Sequence, residues 1–470
     1  MRASERRVGA FSRKVFEGKG LPLLLFSLVA SVGVLWALFV PEFEKADEIH
    51  HLAYIRYFYR TKSLAVQGAS NDPLLEPETQ QPPLYYSLAS GVYAVGTSCG
   101  LLPEPLEPWL TRGETNHKLP NHWIHSSCPP HSLPWDVVAL RLIGVILGST
   151  VSITMYFAGR TVASKFAAFV AAVIVSLLPG YASVISSVSN DPLAWAWAGI
   201  LICLCLEKDR PEEITTVEAG ILGTLLGVAV YIKATLYSLA VPMFVALLCR
   251  DWRISSRNLA IVALCAGAVS IWWFQRNVRL YHHPLGRQEL IRPDLYAWNL
   301  DPKSLFSYYF VRPFWQNLFE SFVGRFGWMR IRLPVWQYLV SLLVGIALIV
   351  GAASAWRESF CRLRCRDPMI RRIGLCVVAI TAALVEVVHY NLSVTQPQGR
   401  YLFHVLPAVG TCLALGVDWW LSRFIDAQNP GIGAKPAFAL SIVATVVCTM
   451  VVWNLWALFA VVGPAHALRS

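Results

Sequence analysis

The sequence predicts an all-α polytopic membrane protein with about eleven transmembrane helices and two long outer loops. Three observations carry that class. Hydrophobic residues make up 55% of the 470 and charged residues only 15%, against about 25% charged in ordinary soluble chains. Mean hydropathy is +0.49. The apolar residues are gathered into runs long enough to cross a bilayer, with Lys and Arg collected between them. Too little polar surface remains to cover several water-exposed globules, which excludes a soluble multidomain enzyme, a disordered scaffold and a secreted disulfide framework. The net charge of +11 is placed as a membrane protein places it, so no nucleic-acid partner is expected. The 11 Cys lie mostly inside apolar runs and read as small core residues.

A basic tail, 1–20, precedes the first span at 21–40. Its length, and the lack of a small-residue cleavage site before Pro41, favour a retained helix over a signal peptide. Further spans fall near 137–158, 163–183, 191–206, 217–232, 234–249, 258–275, 335–356, 373–390, 401–421 and 437–461. Lys and Arg set the orientation. Arg2, Arg6, Arg7, Arg13, Lys14 and Lys19 share one side with Arg160, Lys165, Arg250, Arg253, Arg257 and the arginines of 357–372. That side is the cytoplasm, so the loops at 41–136 and 276–334 and the C-terminal tail at 462–470 are expected outside. The helices between and after the loops occupy 137–275 and 335–461. Compact tails point to a bacterial plasma membrane.

The polar residues collect at the outer ends of the spans. After the first span comes Asp47-Glu48-Ile49-His50-His51. Carboxylates are poor anchors at a membrane boundary, where Trp, Tyr, Lys and Arg serve better. Asp47 and Glu48 are adjacent, so their side chains diverge; one can take a substrate proton while the other meets a cation. Gln80-Gln81-Pro82-Pro83-Leu84-Tyr85-Tyr86 reads as a proline stop followed by an interfacial helix, which folds the loop back and carries Gln81 toward its start. Asn190 and Asp191 either cap the next helix, or place Asp191 opposite Asp47 to hold a divalent cation. Lys233 lies between two apolar stretches with no acid nearby in sequence; it either snorkels or serves a site. In Gln398-Gly399-Arg400-Tyr401 a helix begins on the outside. Its unpaired N–H groups make an anion site, Gly399 allows close approach of a ligand, and Arg400 offers a two-pronged phosphate donor. The histidines at 117, 122, 125 and 131 match no zinc spacing and read as a surface loop. Cys99 and Cys128 share the oxidising side and could pair.

Taken in order, Asp47-Glu48 with His51, Gln81-Pro82-Pro83-Leu84-Tyr85-Tyr86, Asn190-Asp191-Pro192, Gly324-Arg325-Phe326-Gly327-Trp328 and Gln398-Gly399-Arg400-Tyr401 resemble the GT-C superfamily of integral-membrane glycosyltransferases. The likeness is to the branch of protein O-mannosyltransferases and the lipid A aminoarabinose transferase, and closer still to an uncharacterised bacterial polytopic family. It implies transfer of a sugar from a polyprenyl-phosphate donor to an extracytoplasmic glycan, lipid or protein acceptor. It implies Asp47 as base or metal ligand, with Glu48 as its substitute, and Asp191 as the second acid. Lys233, Arg400, Gln398, Gln81, Tyr85 and Arg325 are then donor contacts. Mg²⁺ or Mn²⁺ is a possible cofactor, held by Asp47, Asp191 and His51. A carboxylate base with no carboxylate nucleophile implies inversion at the anomeric carbon. The competing class is a transporter or flippase for a lipid-linked anion, for which midplane charges and repeated halves are expected.

Overall fold

A computed structural model gives the fold, and it describes residues 20–45, 47–69, 72, 74–102, 135–208, 213–248, 252–286, 303–363, 368–428 and 434–467. The basic tail, the loop histidines, Cys128, Arg250, Arg287 and Arg292 lie outside them, so the Cys99–Cys128 pairing does too. The molecule is a helical membrane bundle.

Helix α1 (Gly20–Phe39) has no charged residue and at 1.5 Å per residue reaches about 30 Å, one bilayer core. Pro41 follows and cannot continue it. The first loop then forms α2 (Glu48–Thr61), a 3-10 turn at Glu76–Glu78 and α3 (Leu84–Ser98). Next come α4 (Trp135–Gly159), α5 (Lys165–Ser176) and α6 (Pro179–Ile185). Helices α5 and α6 meet at 70°, where Pro179 removes a backbone donor. Helix α7 (Asp191–Glu207) returns through the bundle, α8 (Thr216–Ala229) follows, and the chain then breaks before a 3-10 helix (Ala234–Leu239) and α9 (Ala240–Leu247).

The second half holds α10 (Trp252–Tyr281), the short α11 (Tyr308–Val311), α12 (Pro313–Gly324) and a hairpin of β1 (Arg325–Phe326) with β2 (Ile331–Arg332). After it run α13 (Val335–Leu363), α14 (Pro368–Asn391), a 3-10 helix (Gly399–Val405), α15 (Leu406–Gln428), α16 (Ala434–Trp456) and α17 (Gly463–Ala467).

Among the described residues seven helices are long and apolar enough to cross a membrane, or eight if α5 and α6 form one bent span. The expected spans at 191–206, 217–232 and 234–249 are helical but shorter, at 17 residues in α7 and 14 in α8. The sequence pattern locates these segments without fixing which of them crosses the bilayer alone.

Helix α4 is central and packs on α1, α5, α7 and α15. Small residues allow close crossings elsewhere. A Cβ at Gly223 would come within 2.5 Å of the Val262 carbonyl of α10, and one at Gly227 within 2.7 Å of Val269. That spacing is the small-xxx-small pattern of membrane helices. At the periphery, Leu343 and Ile349 of α13 are 66% and 62% exposed, as a lipid-facing helix requires.

Candidate active site

The site is built at the end of the bundle where α1 stops and α2 begins. Asp47 occupies the N-cap position of α2 with φ 60° and ψ 2°, a left-handed conformation that costs a non-glycine residue about 1 kcal/mol or more. An Asp in this position ordinarily accepts a hydrogen bond from its own helix. Asp47 makes no such bond; its carboxylate pairs with Arg400 Nη2 instead. Arg400 also lies 3.6 Å through Nη1 from Asp191 Oδ2.

Asp191 and Asn190 begin α7, and both turn toward Lys233. Lys233 Nζ donates to Asn190 Oδ1 at 2.8 Å and to Asp191 Oδ1 at 2.6 Å. Lys233 sits in extended backbone at the break after α8, so the break delivers an ammonium into the site without burying a second helix turn. Asn190 does not cap its helix through its side chain; its Nδ2 donates to Gln81 Oε1 at 3.1 Å. The Pro82-Pro83 corner is fixed by the Leu84 N–H, which donates to the Tyr231 carbonyl at 2.9 Å. A polar chain therefore runs from Gln81 through Asn190, Lys233, Asp191 and Arg400 to Asp47. Asp191, Lys233 and Arg400 are 2%, 8% and 7% exposed, whereas the Asp47 side chain keeps 30%.

Electrostatics follow from this arrangement. Burial alone would raise the Asp47 carboxyl, but the charge and hydrogen bond of Arg400, aided by His51 and His50, outweigh it and hold the group at about 2. Burial, followed by the charge of Lys233, pushes His51 down to about 3, so its ring is neutral at pH 7. His51 Nδ1 shares a hydrogen bond with the Tyr86 hydroxyl at 2.7 Å.

Several expected site residues stand elsewhere. Glu48, expected to substitute for Asp47, is fully buried and faces Arg141 of α4. Arg141 Nε and Nη2 donate to its two carboxylate oxygens at 2.7 and 2.6 Å, and the Phe43 and Val188 N–H groups also donate to it. The remaining Arg141 N–H groups donate to the carbonyls of Ala37, Val40 and Pro41. This pair clamps the end of α1 to α4 and leaves Glu48 no access to a substrate. Burial would raise the Glu48 carboxyl, but Arg141 outweighs it and the group titrates below its ordinary value.

Arg325 opens β1 and bonds Asn317, and it lies 3.8 Å from Glu320, a carboxylate that Arg332 meets at 2.9 Å. The hairpin reaches the site through Trp328, whose indole N–H donates to the Phe43 carbonyl at 2.9 Å. Tyr85 is 1% exposed and packs as core on His51 and Tyr86. Gln398 precedes the 3-10 helix, where its carbonyl accepts from the Tyr401 N–H. Gly399 is required for a reason other than ligand approach. A Cβ there would sit 2.3 Å from the Phe322 backbone nitrogen, so α12 and not a substrate fills that space.

The donor set does not suit a metal ion. Arg400 stands between Asp47 and Asp191, Lys233 takes the second Asp191 oxygen, and His51 Nδ1 is engaged by Tyr86. Two fixed cations would repel a third positive charge. Among the described residues no group of three or more His, Cys, Asp or Glu is disposed to hold an ion. Ligation by Asp47, Asp191 and His51, as the sequence suggests, would require these partners to be displaced.

Two features escaped the sequence reading. Arg141 was visible as a charge inside an apolar run, a signal in its own right. Glu78 lies 3.8 Å through Oε2 from His51 Nδ1 on a short turn with no periodicity to mark it.

Residues 135–409 match the family described as Predicted membrane protein (DUF2142). The chain belongs to the DUF2142 family. No curated protein matches this DUF2142 chain. Among solved structures, ArnT from Cupriavidus metallidurans bound to undecaprenyl phosphate is similar with a TM-score of 0.50 at 15% identity, over 95% of this chain and 74% of that one. The Archaeoglobus fulgidus oligosaccharyltransferase in its apo form gives 0.51 at 15% identity, over 94% of this chain and 56% of that one. The DUF2142 chain thus spans little more than half the length of the archaeal enzyme. At this identity the likeness shows the fold alone, one shared with ArnT and the archaeal oligosaccharyltransferase.

Proposed function

We propose that this chain is a membrane glycosyltransferase that moves a sugar from a polyprenyl-phosphate donor to an extracytoplasmic acceptor, with inversion. The observation that carries the reading is the convergence of Asp47, Asp191, Lys233 and Arg400, from four separate segments, at one end of the bundle. A fixed guanidinium and a fixed ammonium together suit a phosphate. Arg400 Nε is buried with no hydrogen-bond partner among the described residues, a donor left for a ligand. The structurally similar ArnT was crystallised with undecaprenyl phosphate.

In this reading Arg400 and Lys233 bind the donor phosphate. An entering phosphate competes with Asp47 for Arg400. Once it has taken the guanidinium, Asp47 loses the counter-ion that makes it a weak base and can accept a proton. The acceptor hydroxyl attacks the anomeric carbon and its proton passes to Asp47. The carbon–oxygen bond to the phosphate breaks with its electron pair going to the phosphate oxygen. Lys233 and Arg400 stabilise the charge that develops there. The second carboxylate, Asp191, is held by Lys233 and Arg400 rather than offered as a nucleophile, so one displacement inverts the configuration.

The same sidedness makes the basic tail cytoplasmic and this end of the bundle extracytoplasmic, in a bacterial plasma membrane. The test is incubation of the purified chain in lipid nanodiscs with labelled undecaprenyl-phosphate sugars and a crude envelope acceptor fraction. Release of undecaprenyl phosphate with transfer of label supports the reading. Movement of intact donor between leaflets without bond cleavage would mean a flippase instead.

A further inference from the structure

We propose that residues 303–315 of the second loop form an interfacial anchor: their outward face lies in the leaflet at the candidate-site end of the bundle and takes anionic lipid headgroups. This surface goes beyond the glycosyl-transfer reading and stands independently of it.

Three observations support it. First, the segment is apolar on two faces. Phe310, Phe314 and Leu318 turn inward and form a buried cluster with Val387 of α14. On the other face Phe306, Tyr308 and Val311 are 94%, 71% and 70% exposed, and Leu305 and Trp315 are exposed too. A loop that packs in water needs one apolar face; a second, contiguous one marks contact with a partner or a membrane.

Second, the depth of that face is fixed. Helix α14 is long and apolar enough to cross the membrane and ends at Asn391. The Lys303 N–H donates to the Leu392 carbonyl at 2.8 Å, and the Tyr309 hydroxyl donates to Asn391 Oδ1 at 2.7 Å. Both bonds hold the segment level with the end of a span, where Tyr and Trp side chains are favoured. Third, the segment is basic. No acid stands between Lys303 and Gln316, and Lys303 and Arg312 flank α11. Lys303 Nζ lies 5.0 Å over the Tyr309 ring, and Arg312 is exposed. An apolar face with a basic rim is the pattern that binds an anionic leaflet.

The anchor is joined to the candidate site through packed side chains. Tyr401 and Leu402, the residues after Arg400, pack on the cluster of Phe310 and Phe314. Farther along α12, Ser321 Oγ accepts from the Gly399 N–H at 2.7 Å, and the Phe322 and Phe403 rings meet edge to face at 5.1 Å. The leaflet thereby sets the height of Arg400 relative to the headgroup layer.

The test is photo-crosslinking of the full chain in nanodiscs of phosphatidylcholine and phosphatidylglycerol in equal amounts, with Phe306→benzoylphenylalanine. Irradiation should give phospholipid adducts, with phosphatidylglycerol captured about fivefold more often, the worth of one basic residue at an anionic surface. The same replacement at Leu343, on the lipid-facing α13, is the reference and should show no preference between the two lipids. Adding Arg312→Gln should bring the ratio at position 306 toward that reference while keeping the adduct. A gentler change, Phe306→trifluoromethylphenylalanine, checks the depth: its fluorine signal should broaden with a headgroup nitroxide lipid and not with a soluble gadolinium chelate. Adducts to a second copy or to the chain itself, equal capture of the two lipids, no adduct where Leu343 gives one, or broadening by the chelate alone would each overturn the proposal. None of these readouts involves sugar transfer, so each leaves the donor reading untouched.

Discussion

Asp47 and Glu48 are consecutive in the chain, yet their carboxylates serve different partners: Asp47 meets Arg400 and Glu48 meets Arg141. The left-handed backbone at Asp47 separates the two. It turns one acid to Arg400 and the next into the core, so Glu48 is architectural and Asp47 is left for the chemistry proposed above.

Asp47→Asn should reduce undecaprenyl-phosphate release by about 10²–10⁴-fold, the usual worth of a positioned base. The same change frees Arg400 from its anionic competitor, so affinity for undecaprenyl phosphate should rise. Tighter binding with lost turnover is the expected pair. Turnover near the wild-type level would remove Asp47 from the mechanism.

Lys233→Met should weaken undecaprenyl-phosphate binding by about 10–150-fold, equivalent to one charged hydrogen bond of about 1.5–3 kcal/mol. It also strands the buried Asp191 carboxylate. The thermal midpoint should therefore fall, and adding Asp191→Asn should restore most of it without restoring binding. Unchanged affinity in the single variant would place the phosphate elsewhere.

Glu48→Ala leaves Arg141 buried without its anion and should cost about 3–5 kcal/mol of stability, read as a lower thermal midpoint. The pH dependence has a definite sign. The folded value of Glu48 lies below its ordinary 4.5, so its stabilisation is complete above about that pH and is lost as acidity carries the solution through the lower folded value. Glu48→Gln should flatten that acid limb. An acid limb identical to the wild type would assign the loss to other groups.

Transfer should persist in EDTA, because the acids are already matched by Arg400 and Lys233. Activity abolished by the chelator and restored by Mg²⁺ or Mn²⁺ would show that an ion displaces these side chains in the working state.

The sequence made the charged chain legible because each member sits at the edge of an apolar run, where a polar residue needs a reason. Asn190 and Asp191 had a complete capping explanation, and only the position of Lys233 decided against it. The divergence of Asp47 and Glu48 followed from adjacency, but their partners depended on one backbone angle. Arg325 reads as a phosphate contact in the sequence, which could not show that Asn317 and Glu320 of the preceding helix lie beside it. Gly399 carried the right residue for the wrong neighbour, since helix packing and ligand approach demand the same missing Cβ. Glu78 was hidden because a three-residue turn inside a long loop has no pattern to read.

The break after α8 bears on biosynthesis as well as on chemistry. Helices enter the bilayer in chain order, and Lys233 reaches Asp191 soon after both have emerged from the ribosome. Asp47 waits far longer, since its counter-charge is encoded 353 positions downstream. Until that stretch is translated, the nascent protein carries an unmatched acid at its surface. A chain truncated before residue 399 should remain trapped in that state and be open to the proteases that police unfinished membrane proteins.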